Sequence, residues 1–349
     1  MDKVNQEYFL SVKLYRQTVK FVTDQIAEYE YIYRTYNDWV CSDIQGNIWE
    51  ISSRVDPDAY IQLKKLSYKP HIIFRACPAH IAYVDSYIAI YCDDIFLDYI
   101  FVVHLNKKKI SIFKRHENII YSDMRFVGHI IDEVIALKSY FGGYKKVHAA
   151  ACEIDGKGVL IQGEKGAGKT TLLLHLLLNG ASFLNNDITR LSRHFDELKI
   201  HAWPSKVNIG IGTIEDNNSF KHLIDINEVR MKDVRMNQDD NKLEFFRDAF
   251  IHIVGCNSIR SSILKCIVRP HFSTDNEECV IVKSPNITID ELLSPICDTW
   301  LPIVSEKDLQ HENCKKHFEM IKVPIFDFYY GTSKTEPGKQ LIEFIKQNI

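Results

Sequence analysis

The chain has 349 residues, 46% of them hydrophobic, with 43 basic against 46 acidic side chains and a formal net charge of -3. That balance creates no long-range field to draw in nucleic acid or an anionic membrane, so neither partner is expected and any phosphate recognition must be local. Nine cysteines, at 41, 77, 92, 152, 256, 266, 279, 297 and 314, are scattered without a CxxC pair. They fit free thiols in a reducing compartment better than a disulfide framework. The charged stretch MDKVNQEYFLSVKLYRQ lacks the apolar core of a signal peptide, and runs such as YIFVVHL and TLLLHLLL fall short of a bilayer span. The expectation is a globular cytoplasmic protein.

In chain order, residues 5–36 read as one or two helices, because Phe9, Val12, Val19, Val22 and Ile26 recur at helical spacing with no Pro or Gly between them. The texture then changes. NIWEIS, HIIFRAC, HIAYVDSYIAIYC, DYIFVVHL and KISIFKR are short runs rich in Ile, Val, Tyr and Phe, broken by polar or Pro-containing segments, as strands of a sheet are. Residues 1–120 are therefore expected to form a helical arm and a β-rich region of unassigned role. From Ser122 as N-cap, Phe126, Ile130, Val134 and Leu137 mark a helix that Gly142 and Gly143 stop. It opens a second domain, 121–349. Past Asp187, LKIHAW, HIVGC and ILKCIVRPHF read as strands, residues 231–248 as a charged loop or helix, and 285–300 as a helix. Residues 215–243 are the most polar stretch and the best candidate for a mobile segment.

Residues 163–170, GEKGAGKT, match G-x-x-x-x-G-K-[ST] in full. Gly163, Gly166 and Gly168 let the backbone turn so that successive amide hydrogens can face phosphate oxygens, and the helix that follows adds its positive end. GVLIQ supplies the strand before the loop, and TTLLLHLLLNG the helix after it. Gly163, Glu164, Lys165, Gly166, Ala167, Gly168, Lys169, Thr170 and Thr171 are thus the expected nucleotide-binding residues, with Lys169 on the outer phosphates and the Thr170 hydroxyl on Mg²⁺.

A helix over 169–179 climbs about 16 Å from the loop. The strand ASFLN comes back by about the same distance, returning Asn186 and Asp187 to the phosphate edge, where a metal ligand is wanted. An Asn-Asn-Asp turn at a strand end has the same composition. Upstream, VHAAACEIDGKGVLIQG reads as a hairpin turning at DGKG. Counting outward from the turn puts His148 opposite position 163 or 165, beside the loop.

His148, GEKGAGKT and the carboxylate about eighteen residues after the lysine together resemble the catalytic domain of HPr kinase/phosphorylase, over residues 147–187. Weaker similarity continues through WPSK and FDFYYG. The resemblance implies an α/β fold of the phosphoenolpyruvate-carboxykinase-like P-loop type with a mixed sheet. It also implies ATP- and Mg²⁺-dependent phosphorylation of a hydroxyl, usually a serine, in a peptide, protein or small-molecule acceptor, sometimes in a biosynthetic pathway. By position, Lys169 would bind the β and γ phosphates, Thr170 and Asp187 the metal, and His148 would lie close to the transferred group. Oligomers among relatives make a homo-oligomer an expectation here.

The family has two adjacent aspartates where this chain has Asn186 and Asp187. The first is the family's candidate base, and an amide cannot take a proton as a carboxylate does. Two functions therefore stand: a kinase whose transfer rests on positioning and charge, and a nucleotide-binding regulatory or scaffold module with reduced or no catalysis.

Three further signals carry less. HENCKKH spaces His311, Cys314 and His317 in steps of three without a fourth ligand nearby. The basic residues of HLNKKKISIFKRHE read as a solvated hairpin. Lys265 and Arg269 share one strand face, where they could approach a nucleotide.

Overall fold

A computed structural model describes residues 6–15, 17–42, 48–73, 77–92, 98–117, 121–215, 220–221, 234–237, 241–273, 276, 278–285, 321–331 and 336–349. It is a mixed α/β protein with two large mixed sheets, one in each of two compact units that divide between Gly142 and Gly143.

The first unit begins with a correction. Residues 8–23 are not helical: they form a hairpin of β1 (Tyr8–Leu14) and β2 (Gln17–Thr23), and the helix α1 spans only Ile26–Tyr36. The apolar spacing fitted a helix that would have pointed Phe9 and Ile26 inward, yet these are 69% and 52% exposed. What the fold buries is Leu10, Val12 and Leu14, an alternation of two, with the chain reversing at Tyr15 (φ 47°).

Strands β3 (Ile48–Val55), β4 (Lys69–Ile73), β5 (Cys77–Val84), β6 (Tyr87–Cys92), β7 (Tyr99–His104) and β8 (Lys109–Lys114) complete an eight-stranded sheet in the order β1-β2-β3-β8-β7-β6-β5-β4. The pairs β2–β3 and β3–β8 are parallel and the rest antiparallel. Helix α2 (Pro57–Lys64) is capped by Asp56, whose side chain accepts from the Ala59 amide, and packs Tyr60 on β7 and β8. Helix α3 (Tyr121–Phe141) starts one residue before Ser122, which therefore lies in its first turn rather than at the cap. It packs on α1, β2 and β3, and Tyr36 donates to Asp132 Oδ1 at 2.6 Å. The basic hairpin β7–β8 is partly neutralised: Lys109 pairs with Glu50 at 2.7 Å, and Lys114 with Glu28.

In the second unit, β9 (Lys145–Ile154) and β10 (Lys157–Gln162) are joined by a two-residue turn with positive φ at Asp155 and Gly156. Helix α4 (Lys169–Leu178) crosses over to β11 (Ser182–Asn185), which lies antiparallel to β9 on its other side. Then follow β12 (Ile188–His194), β13 (Glu197–His201), β14 (Val207–Gly210), α5 (Ile211–Glu215), β15 (Val234–Asn237), β16 (Lys242–Phe245) and α6 (Arg247–Val254). The chain continues through β17 (Ser261–Phe272), β18 (Val280–Lys283), β19 (Ile325–Tyr330) and α7 (Pro337–Asn348). Strands β14, β16 and β15 form a small sheet of their own.

The pairs β10–β9, β9–β12, β12–β13, β13–β17 and β17–β10 return to their start, closing a ring of strands. Strand β17 also runs parallel to β19. Leu172 to Leu177 of α4 are buried all round because the helix lies between this sheet and α7.

HIVGC, read as a strand, is the end of α6: Gly255 (φ 68°) is its C-cap, and the β-branched residues there pack as helical core. Within 231–248, the described residues form β15, β16 and the start of α6. Most of the polar stretch 215–243, all but the first residue of the helix expected over 285–300, and HENCKKH lie outside the described residues. Among those described, no group of three His, Cys, Asp or Glu is placed to hold a metal, and no helix is long and apolar enough to cross a membrane.

Candidate functional site

Strand direction assembles the site. Strands β10 and β11 both run antiparallel to the β9 between them, so their C-terminal ends share one sheet edge with the N-terminal end of β9. That edge carries the 163–168 loop, Asn186 with Asp187, and His148. The register is set at the turn: Lys157 pairs with Ile154 and Gln162 with Ala149, and the next step puts His148 across from Gly163. On its other side His148 is opposite Ile188. The ends of β17 and β19, parallel to β10, reach the same edge.

The loop has the backbone its glycines allow. Gly166 and Gly168 sit at φ 89°, and Gly168 is the N-cap of α4. Its carbonyl accepts from Leu172 N at 2.9 Å and from the Tyr330 hydroxyl at 3.1 Å. A Cβ at 168 would lie 2.6 Å from that hydroxyl, so only glycine leaves room. Glu164, Lys165 and Gly166 form the exposed tip; Ala167, Thr170 and Thr171 are half-buried.

Lys169 is 8% exposed, and its Nζ donates to the carbonyls of Gly163 at 2.8 Å and Glu164 at 2.9 Å. Burial pushes its pKa down, and the charge of Asp187 acts in the opposite direction. A buried ammonium held by two neutral carbonyls is well placed to exchange them for an anion.

The three residues Asn185, Asn186 and Asp187 divide into three roles. Asn185 is fully buried and satisfied: Nδ2 donates to His201 O at 2.9 Å, and Oδ1 accepts from Trp203 N at 2.7 Å. It is a structural tie. Asn186 is 3% exposed, with Nδ2 donating to Asn208 O at 3.1 Å and Oδ1 left without a hydrogen-bond partner. An unpaired buried acceptor costs about 1–3 kcal/mol. Asp187 is half exposed and takes His148 Nε2 on Oδ1 at 2.6 Å.

Several contributors carried no sequence signal. Thr213 Oγ1 of α5 lies 3.2 Å from Thr171 Oγ1, and Asn208 of β14 anchors Asn186, so α5 touches the loop helix and β14 the end of β11. The segment VNIGIGTIE that supplies them has no diagnostic spacing. Tyr330 is in FDFYYG, but its bond to Gly168 O crosses 162 positions. Lys265 does not approach the loop; it pairs with Glu197 on the sheet. Arg269 is engaged by Asp327, its Nε and Nη2 donating at 2.9 and 2.7 Å. Burial raises the Asp327 carboxyl, but hydrogen bonds from Arg269, Ser284 and His271 outweigh it and bring the pKa down to about 2.

No family model matches the chain, and neither does any curated protein. Among solved structures it is distantly similar to the Hpr(Ser) kinase/phosphatase from Coxiella burnetii, at 12% sequence identity and a TM-score of 0.30, over 58% of this chain and 95% of that one.

Proposed function

We propose that the chain is an ATP-dependent phosphotransferase that moves the γ-phosphate to a serine-like hydroxyl of a peptide, protein or small molecule, with a core of the HPr-kinase and phosphoenolpyruvate-carboxykinase type built on the second unit. One observation carries the reading: a glycine-rich loop with a buried lysine, and a His148–Asp187 pair whose charge reaches that lysine, stand on one sheet edge. Lys169 supplies the cation for the outer phosphates, and residues 163–171 supply the backbone around them.

The donor set fits Mg²⁺, a hard ion that prefers oxygen: Thr170 and Asp187 would hold it, and when bound it neutralises phosphate charge. His148 holds Asp187 by one oxygen and fixes the carboxylate's orientation. A reducing cytosol fits Cys41, Cys92, Cys152, Cys256, Cys266 and Cys279, which are free thiols. A homo-oligomer and the absence of nucleic-acid and membrane partners belong to the same proposal.

A second reading, a module that holds its nucleotide and signals, is favoured by one residue, the amide at Asn186. Transfer from γ-labelled ATP with Mg²⁺ into a desalted extract of the source cells plus its small-molecule fraction separates them. A labelled acceptor seen with the wild type and lost with Lys169→Ala supports the kinase, whereas label that persists in Lys169→Ala sinks it. ATP bound without any label moved favours the regulatory module.

A further inference from the structure

The carboxamide of Asn186 is fixed rather than free. Its Nδ2 can only donate, and Asn208 O can only accept, so the 3.1 Å bond between them sets which way the amide faces. Oδ1 is thereby presented as a buried acceptor with nothing to accept from, one residue from the Asp187 that His148 holds. By contrast, neighbouring Asn185 uses both ends of its amide. A buried acceptor left open needs a donor that arrives with a ligand. At a phosphoryl-transfer site the phosphates bring only acceptors, and a hard metal ion selects the carboxylate of Asp187 over a neutral amide. Of the reactants, the O–H of the group being phosphorylated is the donor left; in its absence an ordered water can fill the place, which the incoming hydroxyl would displace.

Resting on the kinase reading above, we propose that Asn186 orients the attacking hydroxyl by accepting its hydrogen bond on Oδ1, and that Asn208 O adapts this position to an amide and against a carboxylate. In the step itself the acceptor oxygen bonds the γ-phosphorus while the bond from that phosphorus to the β–γ bridging oxygen breaks, its electrons leaving with ADP. The hydroxyl proton passes to an oxygen of the transferred phosphoryl group and then to water. Asn186 takes no proton, as a loose transition state permits.

The test compares wild type, Asn186→Ala, Asn186→Asp and Lys169→Ala, using N-acetylserinamide as the hydroxyl probe with γ-labelled ATP and Mg²⁺. ATP affinity is measured by calorimetry, and folding by thermal melting. Asn186→Ala is expected to keep ATP affinity and melting behaviour while losing about tenfold or more in transfer, because orientation is lost and nucleotide contacts are not. Asn186→Asp is expected to melt several degrees lower and to transfer no faster than the wild type, since its carboxylate meets the Asn208 carbonyl. Wild-type transfer by Asn186→Ala, or a gain of tenfold or more in Asn186→Asp with an unchanged melting temperature, overturns the inference and leaves the kinase reading standing. A wild type that binds ATP but labels neither probe nor extract overturns both.

Discussion

Among the buried lysines of this protein, Lys114 of the first unit and Lys169 of the second are settled differently. Lys114 in the first unit is 4% exposed and bonded to Glu28, whose other oxygen accepts from Thr23 Oγ1 at 2.7 Å. The charge is cancelled where it stands. Lys169 in the second unit is 8% exposed and held by two neutral carbonyls. The first arrangement is complete, so removing a partner is felt as lost stability. The second is a cation still owed an anion, so its removal is felt as lost function.

The sharpest way to break that contrast is Lys169→Ala, expected to lower phosphoryl transfer by roughly 10²–10³-fold with the melting temperature nearly unchanged. A large fall in melting temperature would make Lys169 structural like Lys114. Conversely, Lys114→Met strands Glu28 in the interior and is expected to cost about 3–5 kcal/mol in denaturant unfolding. Adding Glu28→Gln to it should recover a large part of that loss. A single variant as stable as wild type would show that the pair carries no such weight.

The loop beneath Lys169 offers a graded pair of tests. Gly168→Ala forces a side chain into a left-handed backbone and against the Tyr330 hydroxyl, an expected loss of about 1–3 kcal/mol together with weakened ATP binding in titration. Tyr330→Phe removes only the bond to Gly168 O and should cost about 1 kcal/mol.

A further effect is in pH. Burial lowers His175 and His201 from 6.5 to about 4, so both fold as neutral imidazoles. The unfolded chain then binds protons that the folded one refuses, and their contribution to stability is present above pH about 6.5 and lost as the pH falls towards 4. Melting curves across that window should show the decline, and His175→Gln should reduce it.

Where sequence and structure agree or part has a common cause. The DGKG turn, the glycine loop and the helix after it were legible because each is set by residues within a few positions: positive φ at Asp155–Gly156 and at Gly166 and Gly168 is a local requirement. Of the one or two helices expected over residues 5–36, Ile26–Tyr36 is helical, and the expectation failed over 8–23 because β1 and β2 are short and their apolar residues satisfy both periods. Only burial showed that Phe9 and Ile26 face out. HIVGC failed in the reverse sense, a β-branched run recruited into a helix by the core it packs against.

By itself the sequence placed His148 across from position 163 or 165, with the register of β9 and β10 selecting Gly163, and it gave the crossover that returns Asn186 and Asp187 to the same edge, because turn length and helix rise are local quantities. The tertiary structure alone decided that Asn185 is a tie and Asn186 an open acceptor, that Lys169 rests on neutral carbonyls, and that Tyr330 closes over Gly168. Those outcomes depend on partners such as Asn208, Trp203 and Tyr330, whose approach no spacing encodes: hydrogen-bond satisfaction in a packed interior is fixed by the neighbours that the whole fold delivers.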